Sequence, residues 1–299
     1  MIRLHTRYRR DLTAERTREK QRAEKLLESA AIKISSVITD LHGVTGRDIM
    51  DHLIAGERNP KVLAQLARRS ARRKISQLEE ALEGAEFFTA DHAALLATML
   101  ARIDRVNEEI ARLTEVIERL LAPYEEQLAQ AESMPGWARR AAQDAVAETG
   151  VDMSRFRTGA HLASWAGRTP LDNQSGKRNG RSKSKKGNRY LGGLLGETAV
   201  AAGRTATREG ARYRRLARRR GKAKAQVAVG NTQLKVYHKL LSNPGMRYAD
   251  LGPDYYERRA SVRRQIAHHI GKLGALGFEV TLCRIPEPEP DGTGQTQSA

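Results

Sequence analysis

LATMLARIDRVNEEIARLTEVIERLLAPY, residues 96–124, is the stretch whose reading decides the fold. Leu96, Ile103, Ile110, Ile117 and Tyr124 recur every seven residues, and Met99, Val106, Leu113 and Leu120 form a second series of the same period. Two interleaved series of this kind make one apolar seam along a helix, here with Glu and Arg on the other faces. The pattern predicts a helix within residues 90–129, about 36 residues long and ~54 Å in length at the standard rise. Pro123 should kink or end it near its last turns, because proline lacks the N–H and its ring clashes with the preceding turn. The seam needs a partner. Either an N-terminal helix folds back as an antiparallel hairpin, or a second copy covers it and makes a homo-oligomer through a coiled coil. β-Branched Ile in one series with mostly Leu and Val in the other is compatible with two strands.

Working outward toward the N-terminus, residues 5–30 lack Pro and Gly and carry Arg and Lys throughout. Tyr8, Leu12, Ala23, Leu26, Leu27 and Ala30 give a thin apolar stripe, so a long basic helix is expected. It either faces solvent or lies along nucleic acid. Gly43 and Gly46 mark turns, and short helices follow near 46–55, 60–69 and 72–83. Asp48 and Asp51 stand one turn apart like a metal-binding pair, but two exposed acids on a surface helix explain them, and no third acid joins them.

Toward the C-terminus, Ser133-Met134-Pro135-Gly136-Trp137 breaks the helical pattern, and a helix from Arg139 to Thr149 follows, closed by Gly150. Helix, Pro-Gly turn, helix is the pattern of a helix-hairpin-helix element, in which the turn backbone and the next helix N-terminus approach a DNA phosphate. Ala138 stands where that pattern has a second glycine, and a plain helical hairpin is the competing reading. Pro135, Gly136, Arg139 and Arg140 are the candidate contacts. A short helix at 159–165 comes next, with Leu162 and Trp165 inward and His161 at the surface.

Asp172 to Arg189 follows: seven Lys or Arg (Lys177, Arg178, Arg181, Lys183, Lys185, Lys186, Arg189) among Gly, Asn and Ser. No acid occurs from Asn173 to Gly196. Without a large apolar residue the stretch cannot be core, and its composition disfavours a helix or a central strand. It reads as an exposed basic loop suited to a run of phosphates, with Asn188 as a further contact. Ser175 stands at its mouth beside Gly176. Leu191, Leu194, Leu195, Thr198, Ala199 and Ala202 then have helical spacing, and Gly192, Gly193 and Gly196 weaken that helix by about 1 kcal/mol each relative to Ala. A second basic cluster, Arg212 to Lys224, precedes a helix at 225–241. A further helix is expected from Gly252-Pro253-Asp254 to Leu273. Phe278 to Leu282 alternate like one short strand, and residues 285–299 form a tail disordered by composition. The fold class is mainly α.

The formal charge of +18, from 53 basic and 35 acidic side chains, points to a polyanionic partner. Nucleic acid is favoured over a membrane, because no apolar run approaches the ~20 residues of a spanning helix. The N-terminus has no signal-peptide core. One cysteine, Cys283, excludes an internal disulfide and a cysteine-based zinc site, and fits a reducing cytoplasm. Aromatic residues at 5% do not suggest base-stacking platforms.

The order of these elements resembles bacterial insertion-sequence transposases of the bridge-RNA-guided serine type, over about Leu12 to Leu282. The motifs that carry the resemblance are Thr13 to Arg22, Met134-Pro135-Gly136, Val151 to Phe156, His161 to Gly167, Ser175-Gly176-Lys177, Lys186-Gly187-Asn188, Tyr213 to Leu216 and Leu251 to Arg259. The resemblance implies a helical coiled-coil region over 1–130 and a transposase domain over 131–284 with a basic active-site loop. It implies that Ser175 attacks a DNA phosphodiester, and that a RuvC-like domain with four acidic residues and magnesium completes the site. It further implies DNA and a structured guide RNA as partners, in the bacterial nucleoid. This sequence starts about where such an acidic domain would end, so the expectation is a half-site: no metal ligands, no cofactor in this chain, and no recombination by it alone. A non-catalytic nucleic-acid-binding remnant is the alternative expectation.

Overall fold

In the computed structural model the described residues are 1–171, 174–175, 178–179, 184–258 and 262–283, with 174–175, 178–179, 257 and 262–265 described as backbone. The expected disordered tail from 285 lies outside them. The architecture is mainly α-helical.

Thr89 starts the long helix. Its hydroxyl accepts from the His92 backbone, and the His92 ring accepts from the Thr89 N–H, which satisfies two otherwise orphaned donors. The chain-order labels are α1 (Ile2–Ser29), α2 (Val44–Ile54), α3 (Pro60–Gln65), α4 (Ile75–Ala81) and α5 (Ala90–Leu121). Pro123 ends α5 as expected: one 3₁₀ turn at Ala122–Tyr124 leads into α6 (Glu125–Glu132). The first heptad series is buried at Leu96, Ile103, Ile110 and Ile117, but Leu120 of the second series is 36% exposed. Leu100 and Leu121 are buried instead.

The seam's partner is α1, in antiparallel register. Leu27 packs in one cluster with Leu96, Leu12 with Val106 and Ile110, and Ile2 against the cluster of Ile117 and Leu121. Arg16 donates to Asn107 at 2.8 Å, and Arg102 reaches Glu19 at 3.8 Å. Of the two partners open to the seam, the fold-back helix occupies it. Tyr8, expected in the stripe, is 55% exposed. Around the far end of this arm, α2, α3 and α4 share a core of Ile32, Ile49, Leu53, Leu63, Leu78 and Phe88.

At the other end lies a helical bundle: α7 (Arg139–Thr149), α8 (Gly159–Trp165), α9 (Arg189–Gly203), α10 (Arg208–Arg220) and α11 (Lys222–Leu241). Its centre is Trp137 stacked on Tyr237 at 5.4 Å, with Leu128, Leu162, Leu191, Leu195 and Leu234 around them. The fully buried Tyr237 hydroxyl pairs with Thr149 at 2.9 Å, as a buried polar group must. Trp165 was expected inward but is 46% exposed, against Phe156. Two short helices follow, α12 (Tyr255–Arg258) and α13 (Val262–Ala275). The strand expected at 278–282 does not form. The strands among the described residues are β1 (Gln174–Ser175) and β2 (Arg178–Asn179), an antiparallel pair within the basic loop. Its register pairs Ser175 with Arg178 and Gln174 with Asn179.

Candidate nucleic-acid interface

The basic loop leaves α8 and returns at α9, and its two stems are fastened to each other. Pro170 bridges Ser184, and the Lys185 N–H donates to the Thr169 carbonyl at 3.3 Å. Below that bridge the stems cross at two glycines. Gly167 has φ +71°, which favours glycine, and a Cβ there would lie 2.7 Å from the Lys185 carbonyl oxygen. A Cβ on Gly187 would lie 2.4 Å from the Ala166 carbonyl oxygen. The motifs ending in Gly167 and centred on Gly187 are thus two halves of one backbone crossing.

Asn188 closes the loop. Its side-chain oxygen accepts from the Tyr190 and Leu191 N–H groups at 3.0 and 3.2 Å, capping α9. Its amide donates to Glu148 of α7. Glu148 is 2% exposed and also receives a two-pronged contact from Arg7 of α1, at 2.7 and 2.9 Å, with Arg3 at 3.7 Å. Burial by itself would raise the Glu148 carboxyl. The hydrogen bonds from Arg7 and Asn188 and the charges of Arg7 and Arg3 outweigh it, and the pKa falls below the usual glutamate value. One carboxylate thereby joins α1, α7 and the loop's return. Asn188 was expected to contact nucleic acid, but its amide is committed to the cap and to Glu148.

The basic helix α1 turns part of its charge inward. Arg9 is 1% exposed and donates to Gln143 and Asp144 at 2.8 and 2.7 Å, and Arg10 pairs with Glu197 at 2.7 Å. Burial holds the Asp144 carboxyl above its ordinary value despite the pull of Arg9. The reading of α1 as a helix laid along nucleic acid fails for these cations, which serve the α1–α7–α9 contact.

The Pro135-Gly136 turn packs its glycine against α9 and, with Ala138, Arg10, Arg18 and Arg140, lines an open cleft of about 610 Å³. Gly136 has φ +79°, and a Cβ on it would meet the Thr198 carbonyl oxygen and the Ala202 nitrogen of α9, each at 2.5 Å. The absence of a side chain at Gly136 is what lets the turn pack this closely on α9. Arg139 is held by Glu125 at 2.6 Å and Glu132 at 3.1 Å, which raises its pKa and spends its charge. Arg140 is exposed and donates to Thr13 at 2.7 Å. Desolvation, with Arg9 nearby, lowers its pKa. Asp48 and Asp51 are ion-paired with Arg68 and Arg47 at 2.9 and 3.1 Å, as expected of surface acids.

Of the loop residues, Lys185, Lys186 and Arg189 are exposed, and Arg189 lies over the Tyr190 ring at 4.6 Å. Ser175 and Arg178 are placed by their paired backbones. Lys177, Arg181 and Lys183 lie outside the described residues. Sequence reasoning missed Glu148 and Arg168. The Arg168 guanidinium donates to the Gly192 carbonyl of α9, and its pKa is lowered by burial. Its sequence signal was slight, a lone cation after Ala166-Gly167.

Among the described residues no group of three or more His, Cys, Asp or Glu stands together as metal ligands. No helix among them is long and apolar enough to cross a membrane.

No curated protein matches the chain. A family model does match, from within α6 through α7, α8, both loop stems and α9 to the first turns of α10: residues 128–214 are similar to the Transposase IS116/IS110/IS902 family, which supports an insertion-sequence transposase.

Proposed function

We propose that the chain carries the serine half of a composite DNA-recombining site, with Ser175 as nucleophile. The observation that supports this is the coincidence of the transposase match, residues 128–214, with the stem-fastened basic loop that holds Ser175. In the proposed step the Ser175 Oγ attacks phosphorus. A serine–phosphate ester forms, one P–O ester of the DNA breaks, and the released DNA hydroxyl takes up the serine's proton. A serine hydroxyl is a weak nucleophile and the developing charge on phosphorus needs stabilising. The loop's cations, Lys185, Lys186 and Arg189 among them, hold the phosphate but supply no base. An acidic RuvC-like domain is the proposed complement. A structured guide RNA and a homo-oligomer belong to the same reading, the latter through outward faces of the α1/α5 arm, since its seam is filled by α1.

The test is adduct formation. With magnesium, guide RNA and target DNA, this chain alone gives no covalent protein–DNA product. Adding a matching acidic domain in trans restores product, and Ser175→Ala abolishes it without lowering affinity, because one hydroxyl adds little beside many phosphate contacts. An adduct that persists in Ser175→Ala and maps to Ser182 or Ser184 refutes the assignment. So does an adduct formed by the isolated chain.

A further inference from the structure

A second cationic surface lies behind the loop. Its walls are one face of α11, Arg212 and Arg220 of α10 and the stem residues Arg168 to Pro170 and Ser184, and together they bound a cleft of about 890 Å³. Five cations line it: Arg168, Arg212, Arg220, Lys224 and Lys235. No acid among the described residues lines it, and the sequence has none from Gly210 to Ala249. Gly221, with φ +87°, makes the corner between α10 and α11 and so sets Arg220 and Lys224 on one rim.

Three residues that line this cleft each carry a buried polar atom without a hydrogen-bond partner among the described residues: Arg168 Nε, Thr169 Oγ1 and Arg212 Nε. Buried polar groups are nearly always satisfied, and three donor-capable groups without partners beneath one cleft leave its walls short of hydrogen-bond acceptors. Like charges gathered without counterions also oppose the compact state. An anion answers both. The rest of the lining includes Ala223, Val227 and Ala228, with no aromatic ring on which an unpaired base could stack. That chemistry fits a phosphate chain whose bases are turned away and already paired.

We propose that this cleft binds the sugar–phosphate backbone of duplex DNA, as a second track beside the basic loop. The proposal rests on the transposase reading for its choice of DNA, but not on Ser175 or on the loop's cations. Arg168 is the residue common to both tracks, since it also lines the smaller cleft at the start of α9 with Lys185 and Arg189.

The experiment is equilibrium binding of the full chain to a short DNA duplex of arbitrary sequence, by fluorescence anisotropy, from about 50 to 200 mM salt. Arg220→Ala/Lys224→Ala/Lys235→Ala removes three exposed cations. The slope of log affinity against log salt should become shallower by about 2.7, at ~0.9 per phosphate contact, with the melting curve unchanged. Lys185→Ala/Lys186→Ala/Arg189→Ala tests the loop separately. If the cleft variant responds and the loop variant does not, the loop reading fails and the cleft stands. An unchanged slope in the cleft variant overturns the proposal. A response confined to an RNA duplex of the same sequence also overturns it, in favour of an RNA track. Should the triple variant melt below the parent, Lys224→Glu, a single exposed change, must still make the slope shallower by about 0.9 or more.

Discussion

Replacing Glu148 by Gln keeps shape and removes charge at the point where α1, α7 and the loop's return meet. Three hydrogen bonds converge there, two from Arg7 and one from Asn188, and the charge of Arg3 lies 3.7 Å away. Gln keeps one acceptor oxygen and turns an NH₂ toward donors it cannot accept from. Hydrogen bonds to charged groups contribute ~1.5–3 kcal/mol each. Breaking a fully buried pair costs about 3–5 kcal/mol, but Arg7 keeps a third of its side chain exposed and can rehydrate. A loss of ~2 kcal/mol is therefore expected in urea denaturation. The effect has a pH signature. The folded carboxyl lies below its ordinary value, so its contribution is complete above about pH 4.3 and is lost as pH falls through the lower folded pKa. Parent and variant should differ by a constant amount at neutral pH and converge in acid. Amide exchange should accelerate at Tyr190 and Leu191, whose N–H groups Asn188 caps, more than at Leu162 in α8. A variant as stable as the parent, or a difference that persists undiminished well below pH 4.3, would refute the hub.

Two further perturbations test the scaffold. Ile110→Asp places a carboxylate in the α1/α5 contact, where Ile110 is 8% exposed beside Leu12 and Val106, and should cost ~3 kcal/mol or more; a variant that melts like the parent would show that the seam is not packed. Gly187→Ala drives a Cβ into the Ala166 carbonyl and should open the stems, seen as faster proteolysis between Pro170 and Asn188. Gly196→Ala meets nothing within 4 Å and should stabilise α9 by up to about 1 kcal/mol, and the reverse order of effects would refute the crossing.

The fold was legible where the sequence repeats. The seven-residue series located α5 and Pro123 located its end, because periodicity and backbone chemistry act locally. The seam's partner was open, since a thin stripe such as Leu12, Ala23 and Leu27 suits either a fold-back or a second chain. The basic loop was legible from composition. Its fastening was not: Gly167 and Gly187 are separated by the whole loop, and only the crossing of two backbones makes each necessary. Glu148 gave no sign either, as one of two acids in an Ala-rich helix, with its three partners on other elements. The Pro135-Gly136 turn was ambiguous for a related reason. A tight glycine turn before a helix suits a phosphate and a neighbouring helix equally well, and the occupant is set by α9, more than fifty residues away.

The glycines of α9 show how a local penalty becomes a site. Taken alone, Gly192, Gly193 and Gly196 make the helix after the loop unfavourable. In the fold, a Cβ on Gly192 would lie 2.6 Å from an Arg168 guanidinium nitrogen, and one on Gly193 2.4 Å from that of Arg10. The bare helix surface is what lets two arginines lie against it. Arg10 is neutralised there by Glu197, whereas Arg168 has no acidic partner among the described residues and is held instead by the Gly192 carbonyl. A side chain at 192 would push that guanidinium away from the helix and out of both clefts it lines. The helical stability forgone at Gly192 therefore fixes an uncompensated positive charge at the base of the loop, where a phosphate track and the proposed nucleophile's loop meet.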